Sequence, residues 1–262
     1  MCIFSDPVIH VAMTRMFARM QGPRTQYLAY QMTLKAEHPV AMILPLPVAP
    51  GAGDAALEFI DLSGYGDLFD RMRKAFVWHS FGMPATRSKP APLPVVEVGD
   101  YEASFVPSLA DFDRLDRRFR MPRVVVDATV HATYGFAVFQ LRAGRGPSHP
   151  MAFRFESALP HALYFPTVHV HDGKLPERAD FDHALFAQHP KDRYFRFDKD
   201  NYAGFSVEAH KLIDVGRTQG LVEPDLMLQY IPLEGQLPNR DTLLALDYVY
   251  EGEGRPDRFF MG

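Results

Sequence analysis

The sequence contains a single cysteine, Cys2. One cysteine excludes an internal disulfide, so nothing in the composition requires an oxidising compartment. The first residues show no basic segment followed by an apolar one, and no run of 18 apolar residues occurs anywhere in the chain. We therefore expect no signal peptide, no transmembrane helix and no membrane partner, and the expected location is cytoplasmic.

The sequence also lacks a strong excess of either charge. Its formal net charge is −4 and its pI is about 6.2. A chain without a large positive excess is not expected to have nucleic acid as a partner. The common cofactor and catalytic signatures are missing as well: a phosphate loop, a dinucleotide fingerprint, a serine nucleophile elbow and a zinc-protease helix. The leading hypothesis therefore includes no cofactor.

Apolar and aromatic residues, by contrast, are plentiful. Hydrophobic residues make up 47% of the 262 residues, with 21 Phe and 11 Tyr. This content supports a large packed core and argues against disorder. We expect residues 1–262 to form a single domain. The proline-rich stretch 84–94 is expected to be a surface loop, and the alternative is that it separates two lobes.

Short apolar segments with period-2 alternation dominate the chain and predict strands. The predicted strands are 13–20, 27–35, 40–46, 57–61, 95–106, 134–142, 150–156, 162–171, 180–187, 226–232 and 243–250. The first three are predicted to form a meander, with a turn at Gly22-Pro23-Arg24. Helical spacing predicts short helices over 67–76 and from Ser108 to about Phe119. Together these features predict a β-rich α+β fold with mostly antiparallel sheets and few short helices.

Cys2 is the first candidate for chemistry. Removal of Met1 would leave its thiol beside a free α-amine. An amine with a pKa near 8 can act as the general base for such a thiol, which suits hydrolysis of a small amide. The alternative is that Cys2 is a small buried residue at the start of the first strand.

The segment from Cys2 to Arg19 resembles the cysteine branch of the N-terminal nucleophile hydrolases, which includes choloylglycine hydrolases. The shared features are the Met-Cys start, a following strand and the aromatic–small–Arg element Phe17-Ala18-Arg19. The resemblance implies that Cys2 is the catalytic nucleophile and that Arg19 helps to hold its thiolate. The stretches 40–47 and 134–139 resemble uncharacterised bacterial proteins, which implies no activity.

Histidines provide an alternative site. His169 and His171 are two residues apart on a predicted strand, so they share a face about 7 Å apart. His183 lies on the next predicted strand. Three imidazoles in this arrangement would suit one divalent metal ion such as zinc or iron, which could activate water or oxygen. The alternative is that these histidines are surface residues or satisfied core residues. Asp180 and Asp182 also share a face and are expected to be solvated.

Three functions therefore remain open. The leading hypothesis is an amidohydrolase acting through Cys2 and Arg19 on a small-molecule substrate. The second is a metal-dependent enzyme built on His169, His171 and His183. The third is a non-enzymatic binding or assembly protein, for which a large apolar interface is expected. A homo-oligomer is a further alternative under each of them.

Overall fold

A computed structural model describes residues 2–6, 8–51, 53–77, 101–115, 133–170, 175–191 and 206–245. Within these ranges the chain is rich in strands, most strand pairs are antiparallel, and helices are few and short, which confirms that part of the prediction. The single α-helix of the described residues, α1, spans Leu68–Val77. Short 3-10 helices lie at Ser63–Tyr65, Leu109–Arg114, Ala209–Lys211 and Val215–Thr218. No helix in the described part of the chain is both long and apolar enough to span a bilayer.

The strands of the described residues are numbered in chain order. They are β1 (Cys2–Phe4), β2 (His10–Gln21), β3 (Thr25–Ala36), β4 (Val40–Leu46), β5 (Leu57–Ile60), β6 (Tyr101–Val106), β7 (Gly135–Leu141), β8 (Gly144–Pro147), β9 (Met151–Glu156), β10 (Ala162–Phe165), β11 (His169–Val170), β12 (Arg178–His189), β13 (Val207–Glu208), β14 (Met227–Pro238) and β15 (Thr242–Ala245).

These strands form two main sheets. Sheet A has five strands in the order β11-β1-β4-β7-β6. Sheet B has eight strands, seven of them in the order β13-β14-β12-β2-β3-β9-β5, with β8 pairing with β3. Strands β10 and β15 form a separate antiparallel pair. Among the described strands, β1 pairs with β11 in parallel and β2 pairs with β12 in parallel, while every other ladder is antiparallel.

Sheet B is covered on both faces. One face packs against sheet A in a core that contains Ile43 and Phe139 from sheet A and Met16 from sheet B. The other face packs against α1, where Phe17 lies in the same buried cluster as Phe69. Because alternate residues of β2 point into two different cores, the middle of this strand is buried at nearly every position.

Several local predictions match the structure closely. Strand β4 has the predicted bounds, Val40–Leu46. Helix α1 is displaced from the predicted 67–76 by one residue. The turn at Gly22-Pro23-Arg24 joins β2 to β3, and Gly22 takes the positive φ of +64° that glycine adopts without strain. Local sequence signals were sufficient for these features because each depends on neighbouring residues.

The predicted three-strand meander is wrong. Strands β2 and β3 pair with each other in sheet B, but β4 crosses to sheet A and lies between β1 and β7. All seven residues of β4 are buried. A strand that is apolar on both faces suits a central position with both faces covered, and sheet A provides that position.

The predicted strand 162–171 is divided in two. Strand β10 ends at Phe165, Pro166 follows, and β11 begins at His169. Proline has no amide hydrogen to donate to a ladder, so it ends the pairing of β10 with β15. The chain then joins sheet A through β11. His171 lies outside the described residues, as does the stretch 84–94, and a division of the chain there stays a prediction.

The predicted helix that begins at Ser108 is described only as far as residue 115. Leu109–Arg114 form a 3-10 helix, and Ser108 bonds the side chain of Asp111 at 2.7 Å. Strand β6 is described from Tyr101, within the predicted 95–106.

Candidate functional site

Two of the predicted histidines meet at the junction of the two sheets. His169 begins β11 in sheet A, and His183 lies in the middle of β12 in sheet B. Their Nε2 atoms are 2.8 Å apart, and the two rings stack with centroids 4.7 Å apart. At this distance one Nε2 donates a hydrogen bond and the other accepts it. His183 is buried, and His169 is half-buried.

Phe181 packs against both imidazoles. Its ring centroid lies 4.5 Å from that of His169 and 5.0 Å from that of His183. Phe181 and His183 are two residues apart on β12 and therefore share a face of sheet B. An apolar ring beside both imidazoles limits the rotation of each ring, so the contact between the two histidines is held in place by packing as well as by hydrogen bonding.

Asn239 fixes the backbone of His169. Its side-chain Oδ1 accepts a hydrogen bond from the His169 amide at 2.7 Å, and its Nδ2 donates to the His169 carbonyl at 3.0 Å. The same Nδ2 lies 3.0 Å from the carbonyl of Pro176. The asparagine side chain thus replaces a neighbouring strand for β11, where the backbone would otherwise lack partners on that side.

A buried polar network continues from this point. The Asp241 carboxylate accepts hydrogen bonds from the Val168 amide at 3.1 Å and from the Tyr164 hydroxyl at 2.8 Å. Thr167 and Thr242 join their hydroxyls at 2.9 Å. Burial, and then the charge of Asp241, raise the pKa of Tyr164 well above its ordinary value. The chain immediately before His169 is therefore anchored to the segment that follows β14.

Cys2 lies next to this junction along the backbone. In the parallel ladder of β1 and β11, Cys2 is the register partner of His169, and Ile3 is the partner of Val170. On its other side β1 pairs with β4, where Ile3 faces Ile43. The candidate nucleophile and one candidate metal ligand are thus neighbouring residues of the same sheet.

Arg19 lies on β2 in sheet B, whereas Cys2 belongs to sheet A. The guanidinium donates from Nε to the Leu221 carbonyl at 2.7 Å and from Nη2 to the Gly220 carbonyl at 2.6 Å. It also lies 3.8 Å from the centroid of the Tyr27 ring. Burial lowers the pKa of Arg19. These contacts attach the 220–221 turn to sheet B, and the role of Arg19 beside a Cys2 thiolate stays a prediction.

Asp180 and Asp182 are both exposed on β12. Asp182 accepts a hydrogen bond from the Met13 amide at 2.6 Å. Met13 lies at an irregularity in the β2–β3 register and has a φ of +51°, which is rare for a residue other than glycine. Asp182 therefore supports a strained turn of β2, a contact that no sequence pattern indicated.

Among the described residues, two of the three predicted histidine ligands, His169 and His183, come together. Within the described ranges no group of three or more His, Cys, Asp or Glu side chains is arranged to hold a metal. His171 lies outside those ranges. Asn239 and Asp241, which position His169, were missed at the sequence level because a polar Asn-Arg-Asp segment after Pro238 is typical of an exposed turn.

Comparisons with known proteins identify a solved structure with the same fold. No protein-family model matches the sequence, and no curated protein matches it. Among solved structures, the crystal structure of baculovirus P35 aligns with a TM-score of 0.53 at 12% identity, covering 90% of this chain and 97% of that chain. The complex of caspase-8 with P35 aligns with a TM-score of 0.48 at 11% identity, covering 90% and 96%. A mutated baculovirus P35 after caspase cleavage aligns with a TM-score of 0.47 at 11% identity, covering 91% and 99%. The first alignment shows that this chain shares its fold with baculovirus P35 over nearly the whole of both chains.

Proposed function

We propose that this chain is a binding protein whose partner is a cysteine protease of the caspase type. The observation that carries the proposal is the shared fold with baculovirus P35, which spans 90% of this chain and 97% of P35. P35 itself forms a complex with caspase-8, and a mutated P35 has been captured after caspase cleavage. The proposal corresponds to the third function considered from the sequence, a non-enzymatic binding protein.

A near-complete alignment is more informative here than a local one. An alignment over nearly the whole of both chains indicates a common architecture and not a single shared motif. A shared fold does not by itself carry a function, so the partner has to be tested directly. At 12% identity most of the aligned residues differ. The proposal therefore concerns only the class of partner, a caspase-type protease. The experiment below identifies the individual protease.

The first test is incubation of the full chain with a panel of active caspase-type proteases, including caspase-8. We expect at least one protease to cut the chain at a single bond and to co-elute with it in size-exclusion chromatography. Intact mass would locate the bond. The same protease with its catalytic cysteine blocked separates binding from cleavage. Neither cleavage nor co-elution at micromolar concentration with any member of the panel would contradict the proposal.

A matched pair of variants sharpens this test. Alanine at the residue that precedes the cut should abolish both cleavage and the stable complex. If that residue is an aspartate, Asp180→Ala is the control, because Asp180 is an exposed aspartate of β12. The control variant should behave as the unmodified chain does. Equal loss in both variants would point to a general effect of surface charge instead of a specific contact.

A second candidate function is enzymatic, with its site at the junction of β1 and β11. The observation in its favour is that Cys2 is the register partner of His169, whose imidazole contacts His183. An imidazole can accept the proton of a thiol, and the backbone register of His169 with Cys2 supports a proposal of amide hydrolysis through Cys2. Neutral imidazoles also bind zinc and iron, which supports metal-dependent chemistry at His169 and His183.

The hydrolase form of this candidate predicts a reactive thiol. We expect untagged protein to have lost Met1 and to take up one carbamidomethyl group rapidly from iodoacetamide at neutral pH, with release of iodide. The adduct is unambiguous because Cys2 is the only cysteine. His169→Gln should slow the labelling, and Cys2→Ala should abolish both labelling and any amide hydrolysis. Retention of Met1, or a thiol that stays inert in folded protein, would exclude Cys2 as an N-terminal nucleophile.

A further inference from the structure

The contact between His169 and His183 joins the two main sheets of the molecule. His169 belongs to β11, which lies at one edge of sheet A among the described strands. His183 belongs to β12, a strand of twelve residues inside sheet B. An edge strand pairs on one side only, so additional contacts add to its stability. The imidazole pair is such a contact, and it reaches across from one sheet to the other.

The geometry of this pair is close to that of two ligands on one metal ion. Zinc lies about 2.0–2.1 Å from each imidazole nitrogen, so two such nitrogens at a tetrahedral angle are about 3.3 Å apart. The two Nε2 atoms are 2.8 Å apart. An opening of about half an ångström would therefore admit the ion. His169 is half-buried, which gives the ion an approach from solvent.

We propose that His169 and His183 bind one divalent metal ion of the zinc class and that the bound ion acts as a clip between sheets A and B. The inference rests on the metal form of the second candidate function and adds a structural role to it. Imidazole is a preferred ligand for zinc and its neighbours among the divalent metals. Asn239 holds the backbone of His169 by two hydrogen bonds, so one ligand is already in position before the ion binds.

A clip of this kind stabilises the folded chain because the two ligands come together only when both sheets have formed. An ion that binds the folded state alone raises stability in proportion to the logarithm of its concentration above Kd. At about a hundredfold above Kd, we expect the Tm of a chain of this size to rise by about 5 °C or more. Water would take the remaining coordination positions.

The experiment uses the full chain, stripped with a chelator and then titrated with zinc chloride. Metal analysis after dialysis gives the stoichiometry, and a thermal melt gives the Tm. We expect one zinc per chain and a rise in Tm. Both effects should be lost in His169→Gln and in His183→Gln. Replacement of half-buried His169 provides a folded variant if buried His183 does not tolerate glutamine. His10→Gln is the matched control, because His10 is an exposed histidine of β2.

The possible results separate the two parts of the inference. One zinc bound without any rise in Tm would overturn the clip and leave the metal site standing. No zinc bound by the unmodified chain would overturn both. Zinc bound equally well by the His169 and His183 variants would place the ion elsewhere and overturn the assignment. Loss of zinc binding in His10→Gln, together with its loss in the His169 and His183 variants, would also overturn the assignment.

Discussion

Above pH 10 the protein is expected to lose about 1.4 kcal/mol of unfolding free energy for each pH unit through Tyr164 alone. The Tyr164 ring is fully buried, and its hydroxyl lies 2.8 Å from the Asp241 carboxylate. Burial is the main cause that raises its pKa well above 10, and the negative charge of Asp241 adds to it. In the unfolded chain the same tyrosine ionises near pH 10. The folded pKa is the higher one, so the stability is complete below pH 10 and falls as the pH rises toward the folded pKa.

Urea unfolding between pH 8 and pH 11 measures this loss. Tyr164→Phe removes the titrating group, so the slope above pH 10 should become shallower by about one proton, or about 1.4 kcal/mol per pH unit. At pH 8 the variant should be less stable by about 1 kcal/mol, because the Asp241 carboxylate loses a donor. Burial also raises the pKa of Tyr134, so some alkaline sensitivity should remain. An unchanged slope in Tyr164→Phe would show that Tyr164 ionises normally.

Arg19→Met is expected to lower the unfolding free energy by about 3 kcal/mol. The substitution leaves the carbonyls of Gly220 and Leu221 without their guanidinium donors. The cost is about 1–3 kcal/mol for Leu221, which is buried, and less for Gly220, which water can reach. It also removes the stacking of the guanidinium on Tyr27, worth about 1–2 kcal/mol. Relief of the cost of burying a charge offsets part of this loss. Urea unfolding at pH 7 gives the value directly.

Arg15→Met is the matched control for Arg19→Met, because both arginines lie on β2. Arg15 pairs with Asp70, whose side chain is 57% exposed, so its loss should cost less than about 1 kcal/mol. If Arg19→Met is as stable as the unmodified chain, the contacts of Arg19 only offset the free-energy cost of burying its charge. Arg19→Lys tests the alternative role. Slower alkylation of Cys2 in that variant, with the fold intact, would support a link between Arg19 and the Cys2 thiol.

Local features of this fold could be predicted from sequence, and long-range ones could not. The bounds of β4, the turn at Gly22 and the helix after Asp67 depend on apolar spacing and on turn residues within a few positions. The choice between sheet A and sheet B for β4 depends on β1 and β7, which are distant in sequence. Strand periodicity places a residue on a face but does not name the strand that will lie beside it.

The candidate site shows the same limit. The prediction that His169 and His171 share a face used only the alternation of a single strand, and His171 lies outside the described residues. The approach of His183 required the order of strands in both sheets. Asn239 and Asp241 gave no sequence signal, because short polar residues after a proline are common in exposed turns. Their importance comes from burial, which only the assembled fold provides.

The parallel pairing of β1 with β11 has a consequence for how the chain folds. It brings residue 2 beside residue 169, and the ladder of β2 with β12 likewise brings Arg15 beside Ala184. Both contacts close very long loops, whose entropy must be overcome before the contacts stabilise anything. During synthesis, β1 therefore lacks this partner until the chain has been made as far as β11. Folding with such high contact order is expected to be slow. The uncovered edges of β1 and β2 are the surfaces that a chaperone would need to protect meanwhile.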